Sequence, residues 1–494
     1  MYIWLRLKAS RILNRTTVSC KNENSNSVQY MLENPTIRFD PILAPWIKTL
    51  LRMPDYAGKI VERYGSPLHI INEEMFHLNI AMFQSSLGLI KSKIFYARKA
   101  NKLSYFVKKA IDSGCGVDCA SLFEVKDSFE NGASPENLFV TAAIKNNELL
   151  EYCITSDICI SLDNLDELEQ CEEIAKRNNK IAKVAIRICD FPLSPKYSRF
   201  GFSYNGIVNL IERVEASFGL GLEGLHFHLN GYSLEERTSA LDCCLSLAAL
   251  INSKGGLIKF VDIGGGIPVT YLSEGNSIKD FKEELCKALK NERTPLTFNN
   301  NGLGLYIDSA KKIYGDLNLY PFYHSCPKNM FIDDLLESKA NTGRTLASEI
   351  IFQNIELRLE LGRSLLDQCG CTLARVAFRK QNSAGDWLIG LEMNFTNMLT
   401  SSNEYLVDPI LFSNSDIDTG NFDCFFVGNF CLERDFIFKR KISLSRKPNI
   451  GDIILIPNTA GYFMHFHETE GHEMRLPNNI KLTSNGYNLF TDEI

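Results

Sequence analysis

One lysine stands out because an apolar, strand-like run of the chain ends on it. Lys99 lies in the motif YARKAN at residues 96–101, after which an amphipathic helical pattern begins. Desolvation at the end of a buried strand disfavours the charged form of an amine, so Lys99 is a candidate Schiff-base nucleophile. Most lysines at strand ends are solvated, and the position alone does not establish this role.

A run of three glycines forms a second candidate site. Gly264-Gly265-Gly266 follows the apolar stretch Val261–Ile263 and could expose backbone N–H groups to a phosphate. Its spacing differs from the dinucleotide-binding fingerprint. An ordinary tight turn is the alternative interpretation of the same glycines.

A carboxylate and a guanidinium lie three residues apart at the end of another apolar run, at Glu360 and Arg363. The arginine can bind a phosphate through two N–H groups, and the glutamate can keep a pyridine nitrogen protonated. A surface ion pair is the alternative interpretation. A phosphate site, a partner for an aromatic nitrogen and a Schiff-base lysine together describe pyridoxal 5′-phosphate (PLP).

These residues must be positioned by the alternation of short strands and helices that follows Lys99. Eight apolar runs are separated by helical patterns such as Leu165–Arg177 and Leu234–Ser253, which is typical of parallel βα units. We therefore predict an α/β fold built on a (β/α)8 barrel. The predicted strands are Lys93–Lys99, Gly116–Ala120, Leu138–Ala142, Ile158–Asp163, Lys183–Ile188, Leu222–Leu229, Ile258–Gly264 and Ile355–Leu361.

Polar residues recur at the ends of these predicted strands. In such a barrel the functional side chains gather where the strands end, at the C-terminal face. A ring of polar residues at successive strand ends is therefore hard to attribute to chance. Its members are Lys99, Asp118, Lys145, Asp163, Arg187, His228, the glycine run, Glu360 and Arg363.

The sequence changes character after Arg363. Short strand-like runs separated by Gly, Asn and Pro predict a C-terminal all-β domain. We divide the 494 residues into a basic, polar tail (1–40), a lead-in segment (41–72), the barrel (73–365) and the β domain (366–494). The predicted strands of the last domain are Thr372–Phe378, Trp387–Glu392, Phe422–Val427, Phe436–Phe438 and Asp452–Ile456.

Composition excludes several classes of function. With 53 basic against 59 acidic side chains, the chain has no basic footprint for nucleic acid. No apolar run reaches the length that spans a membrane. The 15 cysteines lack the paired CxxC spacing of zinc sites, so we interpret them as reduced thiols of a cytoplasmic protein.

Two sets of cysteine or histidine residues resemble the ligand sets of metal sites. The first is Cys369-Gly370-Cys371, and the second joins His465 and His467 to His472. Burial in a strand explains the cysteines, and a loop at the mouth of the site explains the histidines. We therefore predict no metal.

The first residues are a separate case. Met1–Lys21 carries five basic side chains and no acidic one among apolar residues. In a eukaryote this pattern resembles an organelle presequence. In a bacterium it is only a basic tail or an early start, which is the interpretation we favour.

Several motifs occur in a fixed order between about Tyr56 and Tyr462. They are YARKAN at 96–101, GVDCAS at 116–121 with Glu124, LHFH at 225–228, GNFC at 428–431 and NTAGY at 458–462. In combination they resemble the fold-type III PLP-dependent amino acid decarboxylases. This family includes the diaminopimelate, ornithine and arginine decarboxylases and has an alanine-racemase-like barrel.

The resemblance implies roles for individual residues. Lys99 would form the Schiff base with PLP, His228 would stack on the cofactor ring, and Glu360 would face the pyridine nitrogen. The glycine run, Arg363 and Tyr462 would hold the phosphate. The full cofactor-binding set is Lys99, Asp118, Arg187, His228, Gly264, Gly265, Gly266, Glu360, Arg363 and Tyr462.

The resemblance also implies an assembly. Cys431 lies in a loop that, in this family, crosses a dimer interface into the partner's active site, where it would be the proton donor to Cα. We therefore expect a homodimer with shared active sites. Residues before the barrel add a strand to the β domain in this family, a part that Pro67–Ile71 would take.

Departures from the family pattern concern the phosphate and the substrate. The usual Gly-Ser after the histidine is replaced by Leu-Asn-Gly-Tyr-Ser at 229–233, so a serine contact to phosphate is absent or has moved to Ser233. Leu432 stands where this family usually has the acid that binds the side-chain amine of the substrate. Glu433 and Asp435 are therefore the candidates for binding the substrate. A long insert over 291–347 predicts a lid or an extra face of the site in a divergent branch.

The expected reaction is decarboxylation of an amino acid to an amine and CO2. The substrate would be diaminopimelate-like or another diamino or modified amino acid. A PLP-dependent racemase and a catalytically inactive regulatory homologue are the alternatives. Glu360 and Cys431 favour decarboxylation, because racemases of this fold tend to put a cation at the pyridine nitrogen.

Overall fold

The computed structural model describes residues 36–194, 197–398, 404–412, 421–485 and 488–493. The basic segment Met1–Lys21 lies outside the described residues. The described chain begins with a lead-in segment that leads to the barrel. Its elements are α1 (Pro45–Leu51), α2 (Pro54–Tyr64) and β1 (Leu68–Ile71), and the barrel region then begins with α3 (Glu73–Leu87).

A closed, parallel sheet forms the centre of the molecule. Eight strands pair in the order β5-β4-β3-β2-β12-β9-β8-β6, and a further pairing of β5 with β6 closes the ring. The predicted eight-stranded barrel is confirmed. The strands, with three short ones outside the ring, are β2 (Ser92–Ala97), β3 (Gly116–Cys119), β4 (Leu138–Val140), β5 (Cys159–Leu162), β6 (Ala182–Cys189), β7 (Phe202–Ser203), β8 (Leu220–His226), β9 (Phe260–Asp262), β10 (Tyr306–Ile307), β11 (Ile313–Tyr314) and β12 (Glu356–Leu361).

Helices join the strands and cover the barrel. Several begin at a Ser or Asn whose side chain accepts the N–H group three residues on, as Ser121, Asn146, Asn164 and Ser233 do. The two helices predicted over 165–177 and 234–253 have the predicted bounds. The helices are α4 (Ser104–Asp112), α5 (Leu122–Glu130), α6 (Asn147–Thr155), α7 (Leu165–Arg177), α8 (Ile207–Glu215), α9 (Leu234–Ser253), α10 (Asn276–Leu289), α11 (Asn329–Glu337) and α12 (Leu346–Gln353).

A small aromatic cluster fills the inside of the barrel. Phe95, Phe139 and Phe260 are fully buried there and pack together with Cys159 and Ala185. Glycines on neighbouring strands make room for the rings: a Cβ atom at residue 116 would lie 2.5 Å from Phe95, and one at residue 224 would lie 2.3 Å from Phe260. The barrel is therefore a packed core with its polar groups confined to the strand ends.

A second, mixed sheet forms the β domain. Its strands run in the order β17-β16-β14-β13-β1-β19-β20, with β18 paired to β13. The lead-in strand β1 lies inside this sheet, antiparallel to β13 and parallel to β19. The strands are β13 (Gly370–Gln381), β14 (Trp387–Leu391), β15 (Ile410–Leu411), β16 (Phe422–Val427), β17 (Ile442–Leu444), β18 (Ile453–Pro457), β19 (Asn478–Asn485) and β20 (Asn488–Glu493).

One predicted strand of this domain is wrong. Residues 436–438 form no strand, and Phe436 makes only an isolated bridge to Val427. The apolar side chains there are used in packing instead: the Phe436 ring lies 4.2 Å from that of Phe298. The apolar residues of this segment therefore contribute to packing and not to sheet pairing.

The insert over 291–347 packs between the barrel and the β domain. Its residues Leu303 and Phe322 share a hydrophobic core with Leu406 and Phe426 of the β domain. On the barrel side, Lys328 donates to Asn79 Oδ1 of α3 at 3.0 Å, and it also forms an ion pair of 2.7 Å with Asp367. The insert is therefore built into the fold on both sides.

The barrel core gives a test of the packing. Replacing Phe139 by Ala should destabilise the protein by about 3–5 kcal/mol, because the fully buried ring would leave a cavity that the closed sheet cannot collapse around. Chemical denaturation measures the loss. The matched control is Phe123→Ala on α5, where the ring is 75% exposed and the change should be within about 0.5 kcal/mol. Equal effects of the two substitutions would contradict the packing.

Candidate active site

Lys99 lies in a single helical turn, Arg98–Ala100, directly after strand β2. Its Nζ donates to Asp118 Oδ2 at 2.7 Å, and Asp118 Oδ1 accepts the hydroxyl of Thr141. The carboxylate is fully buried, whereas the lysine side chain is 29% exposed. The amine is therefore held by a buried carboxylate, and the lysine side chain is partly accessible to solvent.

The charge state of Lys99 differs from the expectation. Burial alone lowers the pKa of the amine, but the carboxylates of Asp118 and Glu360 outweigh it and raise the pKa overall. The expected neutral amine is wrong for the free protein, because the same strand ends that bury the lysine also bring two acids beside it. Burial and Glu360 together raise the pKa of Asp118, which brings this group closer to accepting the lysine's proton.

Glu360 is the last residue but one of strand β12 and is 2% exposed. Its Oε1 lies 3.2 Å from His226 Nε2, and its Oε2 lies 3.4 Å from His228 Nδ1. Burial raises the pKa of this carboxyl, but His226, His228 and the Lys99 charge overcome that effect and hold the pKa well below its ordinary value. The site therefore contains a buried carboxylate in its charged form.

The motif LHFH at 225–228 predicts a role only for His228, and the structure adds His226 to the site. It is fully buried, and burial lowers its pKa to about 4 even though Glu360 favours the charged ring. Its Nδ1 lies 2.7 Å from the hydroxyl of Ser161 on β5. A neutral ring that accepts from Ser161 must carry its proton on Nε2, towards Glu360. The signal in the sequence is the spacing of the two histidines, which places both on one face of the chain.

The glycine run lies against His228 and Glu360. A Cβ atom on Gly264 would come within 2.8 Å of His228 Nδ1, and one on Gly265 would come within 2.7 Å of the Glu360 carbonyl. Gly264 and Gly266 also have positive φ angles of 66° and 74°. Glycine is required here both for the backbone conformation and for the close approach of the histidine.

Arg363 and Tyr462 complete one side of the site. Arg363 donates to the Gly461 carbonyl at 3.0 Å, and its guanidinium lies 4.1 Å from the centre of the Tyr320 ring. The Tyr462 N–H group donates to the Ala100 carbonyl at 2.8 Å, beside Lys99. Tyr462 therefore lies between the lysine turn and the arginine, and its contact with the phosphate stays a prediction.

The remaining polar strand ends form ion pairs. Lys145 is paired with Glu167 at 2.9 Å, and Arg187 is paired with Asp163 at 3.2 Å. Burial lowers the pKa of His228, and the charge of Arg187 adds to this effect, so Arg187 lies close enough to influence the His228 ring. Its place among the cofactor-binding residues stays a prediction, whereas the Lys145 charge is taken up by Glu167.

The loop that carries Cys431 has an exposed tip, 431–434, and a buried base. Asp435 is 3% exposed, and its two carboxylate oxygens accept the N–H groups of Phe395 and Phe430 at 2.8 and 2.7 Å. This carboxylate organises its own loop, which argues against a direct contact with substrate. Glu433 on the exposed tip stays the predicted substrate-binding acid.

His465, the first histidine after Tyr462, is held by contacts within the protein. His465 Nδ1 lies 3.0 Å from Asn101 Oδ1, and its Nε2 lies 2.9 Å from Asn479 Oδ1. Both ring nitrogens thus face amide side chains, one of which belongs to Asn101, two residues after Lys99.

None of the described helices is long and apolar enough to cross a bilayer.

Comparison with known proteins bears on the same region. Residues 75–301 match the family model described as pyridoxal-dependent decarboxylase, pyridoxal binding domain. Residues 75–301 are therefore a pyridoxal-binding domain of the pyridoxal-dependent decarboxylase kind, whose cofactor is PLP. This is the fold-type III family that the motifs of the chain resemble.

Relatives and solved structures agree with this domain match. The uncharacterized protein y4yA of Sinorhizobium fredii is 26% identical over 84% of this chain and 87% of its own length. The diaminopimelate decarboxylase of Neisseria meningitidis is 20% identical over 82% of this chain and 85% of its own. The diaminopimelate decarboxylase of Helicobacter pylori, solved in complex with L-lysine, has a TM-score of 0.66 at 16% identity and covers 88% of this chain and 95% of its own. At that identity the structural likeness shows the fold.

The residues present fit PLP. The glycine cradle leaves room at His228 that any side chain would fill, and it offers backbone N–H groups to a phosphate. Glu360 is held as a carboxylate, which is the form that keeps a pyridine nitrogen protonated. Lys99 would bind the aldehyde carbon. Arg363 has no carboxylate within 4.0 Å among the described residues, which leaves its charge available to a phosphate.

His226 gives a prediction about pH. Since its pKa is about 4 in the folded protein and about 6.5 in an unfolded chain, the unfolded state binds the extra proton first, and stability falls as pH falls through this range. Between pH 7.5 and 5 this group should account for up to about 2 kcal/mol of the loss. Urea denaturation at both pH values should show a shallower loss in His226→Gln.

The control is His77→Gln on the outer helix α3, which should keep the wild-type slope. Buried histidines elsewhere contribute equally to wild type and variant and cancel in the difference. An unchanged slope in His226→Gln would contradict a neutral, buried His226.

Proposed function

We propose that this protein decarboxylates an amino acid with a second amine or a modified side chain, using PLP bound to Lys99, and that it does so as a dimer with shared active sites. The observation that carries the proposal is the buried, charged Glu360, held by two histidines beside the Lys99–Asp118 pair in a pyridoxal-binding barrel. A carboxylate in this position favours the protonated pyridine ring that decarboxylation needs.

Each of the residues around the ring position has a defined task. When bound, PLP supplies an electron-withdrawing ring that takes up the electron pair released with CO2. Glu360 holds the proton of the pyridine nitrogen, and His226 with Ser161 fixes the direction of the Glu360 carboxylate. Asp118 accepts the proton that Lys99 must lose before its amine can react.

Proton delivery is assigned to the partner subunit. The exposed tip of the Cys431 loop is held in shape by Asp435 and faces away from its own buried base. The partner's Cys431 would return a proton to Cα after CO2 leaves, so the site needs two chains. Leu432, which is 42% exposed on the same tip, offers no charge to a substrate amine. Glu433 beside it is the acid we propose for this contact.

The substrate class is tested by measuring CO2 release from a panel of amino acids. The panel contains ornithine, lysine, arginine, diaminopimelate and conjugated diamino acids. We expect the highest kcat/KM for one of the larger members, since Leu432 removes the usual partner of a short terminal ammonium. Exchange of the Cα proton without CO2 release would point to a racemase instead. No reaction with any member, despite bound PLP, would point to a regulatory homologue.

Lys99 should be the only residue that traps PLP covalently. Lys99→Ala should abolish both the borohydride-stable adduct and CO2 release, because among the described residues no other lysine pairs with Asp118. Peptide mass mapping after reduction locates the adduct. The control is Lys176→Ala on α7, an exposed lysine paired with Glu172, which should retain both. An adduct on another lysine in the Lys99→Ala protein would refute the assignment.

Sharing of active sites predicts complementation between two inactive chains. Lys99→Ala and Cys431→Ala homodimers should each be inactive, whereas a hybrid dimer contains one site with both residues intact. After complete subunit exchange in an equal mixture, we expect about a quarter of wild-type activity. Cys286→Ala on α10 serves as a control that should be active by itself. Hybrid dimers detected by native mass spectrometry without recovered activity would overturn the shared site.

A further inference from the structure

A buried arginine lies directly behind the glycine run, and no step of the proposed function uses it. Arg237 is in the second turn of α9 and is 1% exposed. Its Nη1 donates to the Ile263 carbonyl at 2.9 Å, and its Nη2 donates to the Gly266 carbonyl at 3.3 Å. These two carbonyls bracket the run Gly264–Gly266, so the guanidinium spans the back of the cradle.

The charge of Arg237 is not matched by an acid. Among the described residues no carboxylate lies within 4.0 Å of it, and its Nε has no partner. Burial lowers the pKa of Arg237 to about 10, which still leaves it protonated at neutral pH. Tyr232 lies close enough to affect the pKa of both Arg237 and Arg363. A buried and a half-buried guanidinium group therefore lie near Tyr232, and their charges favour an anion there.

The arginine also fixes the direction of the backbone amides. A peptide unit is planar and trans, so its N–H group points opposite to its carbonyl. With the Gly266 carbonyl turned towards Arg237, the N–H group of Ile267 is turned away from it, to the other side of the cradle. In the described part of the chain, the N–H groups of Gly266 and Ile267 donate to no protein acceptor. Neighbouring unpaired N–H groups of this kind bind anions.

The segment after His228 differs from the pattern of the family that the chain resembles, and this difference concerns the phosphate. A serine that contacts phosphate follows the histidine in the family that the chain resembles, whereas here Leu229 and Asn230 follow it and Ser233 caps α9. The Ser233 hydroxyl accepts the Glu236 N–H at 3.2 Å and caps α9. On the other side, the insert brings in Tyr320, whose hydroxyl is buried without a partner among the described residues. The Tyr320 ring lies against Arg363 at 4.1 Å.

We propose that Arg237 is a positioning residue for the phosphate of PLP, which holds the glycine cradle open and supplies the buried positive charge, and that Tyr320 replaces the missing serine as a hydroxyl donor. The inference rests on PLP being the cofactor and names the residues that bind its phosphate in this chain. It makes the insert part of the cofactor site.

The test compares PLP with pyridoxal, which has the same ring and aldehyde but no phosphate. Binding of each to the full-length apoprotein is measured by equilibrium dialysis, which requires no turnover. Arg237→Gln should weaken PLP binding by about tenfold or more, the typical effect of losing a charge-assisted contact, and change pyridoxal binding by less than about twofold. Tyr320→Phe should weaken PLP binding by about threefold to tenfold and leave pyridoxal unchanged.

The matched control is Arg358→Gln. Arg358 is another arginine of the barrel interior, but it lies on β12 towards the opposite end of the strands, 3.5 Å above the Phe260 ring. Loss of stability without loss of PLP preference is expected for it. If Arg237→Gln does not fold, Arg237→Lys replaces it and should show a smaller, still phosphate-specific loss, because one amine cannot reach both carbonyls.

Two results would overturn the inference. One is wild-type PLP affinity in the Arg237 variant, and the other is an equal loss for PLP and pyridoxal, which indicates a general structural defect. A wild-type protein that binds PLP with this preference but releases no CO2 from any amino acid would refute the proposed function and leave the role of Arg237 intact.

Discussion

A charged carboxylate at the centre of a closed barrel is the interaction around which the rest of the site is arranged. Glu360 is almost fully buried, and its charge is stabilised by the two histidine rings and the lysine that lie beside it. His226 and His228 approach its two oxygens, and Lys99 adds a positive charge from the next strand of the ring. The close packing of His228 then requires glycine at residues 264 and 265. One buried charge thus explains histidine, lysine and glycine on three different strands.

Much of this arrangement could be predicted from the sequence, because it follows from local pattern and from the closure of parallel strands. The eight apolar runs gave the strands, and their ends placed Lys99, Asp118, His228 and Glu360 at one face. What failed depends on neighbours that are distant in sequence. The protonation of Lys99 is set by acids on two other strands, and the neutral state of His226 is set by burial and by Ser161 on β5. No local pattern reports such contacts.

The β domain and the insert show the same limit from another side. Strand β19 reads NNIKLTSN, a polar sequence that pairs because β1 and β20 are available on either side. Residues 436–438 are apolar but have no strand to pair with. The length of the insert was visible in the sequence, whereas its effect was not: Tyr320 lies at Arg363 because Phe322 and Leu303 are buried in the core of the β domain. In each case tertiary partners decided the outcome.

The segment 458–465 has a consequence for the independence of the two domains. It belongs to the β domain by sequence, yet the Ala460 carbonyl accepts from the Asn101 side chain and the Tyr462 N–H donates to the Ala100 carbonyl, both directly after Lys99. The lead-in strand β1 makes the reverse crossing from the other end of the chain. Neither half is therefore an autonomous folding unit with a complete reactive lysine. A new substrate preference could not arise by exchanging whole domains between relatives, and would have to arise by point changes and loop insertions within one intact chain.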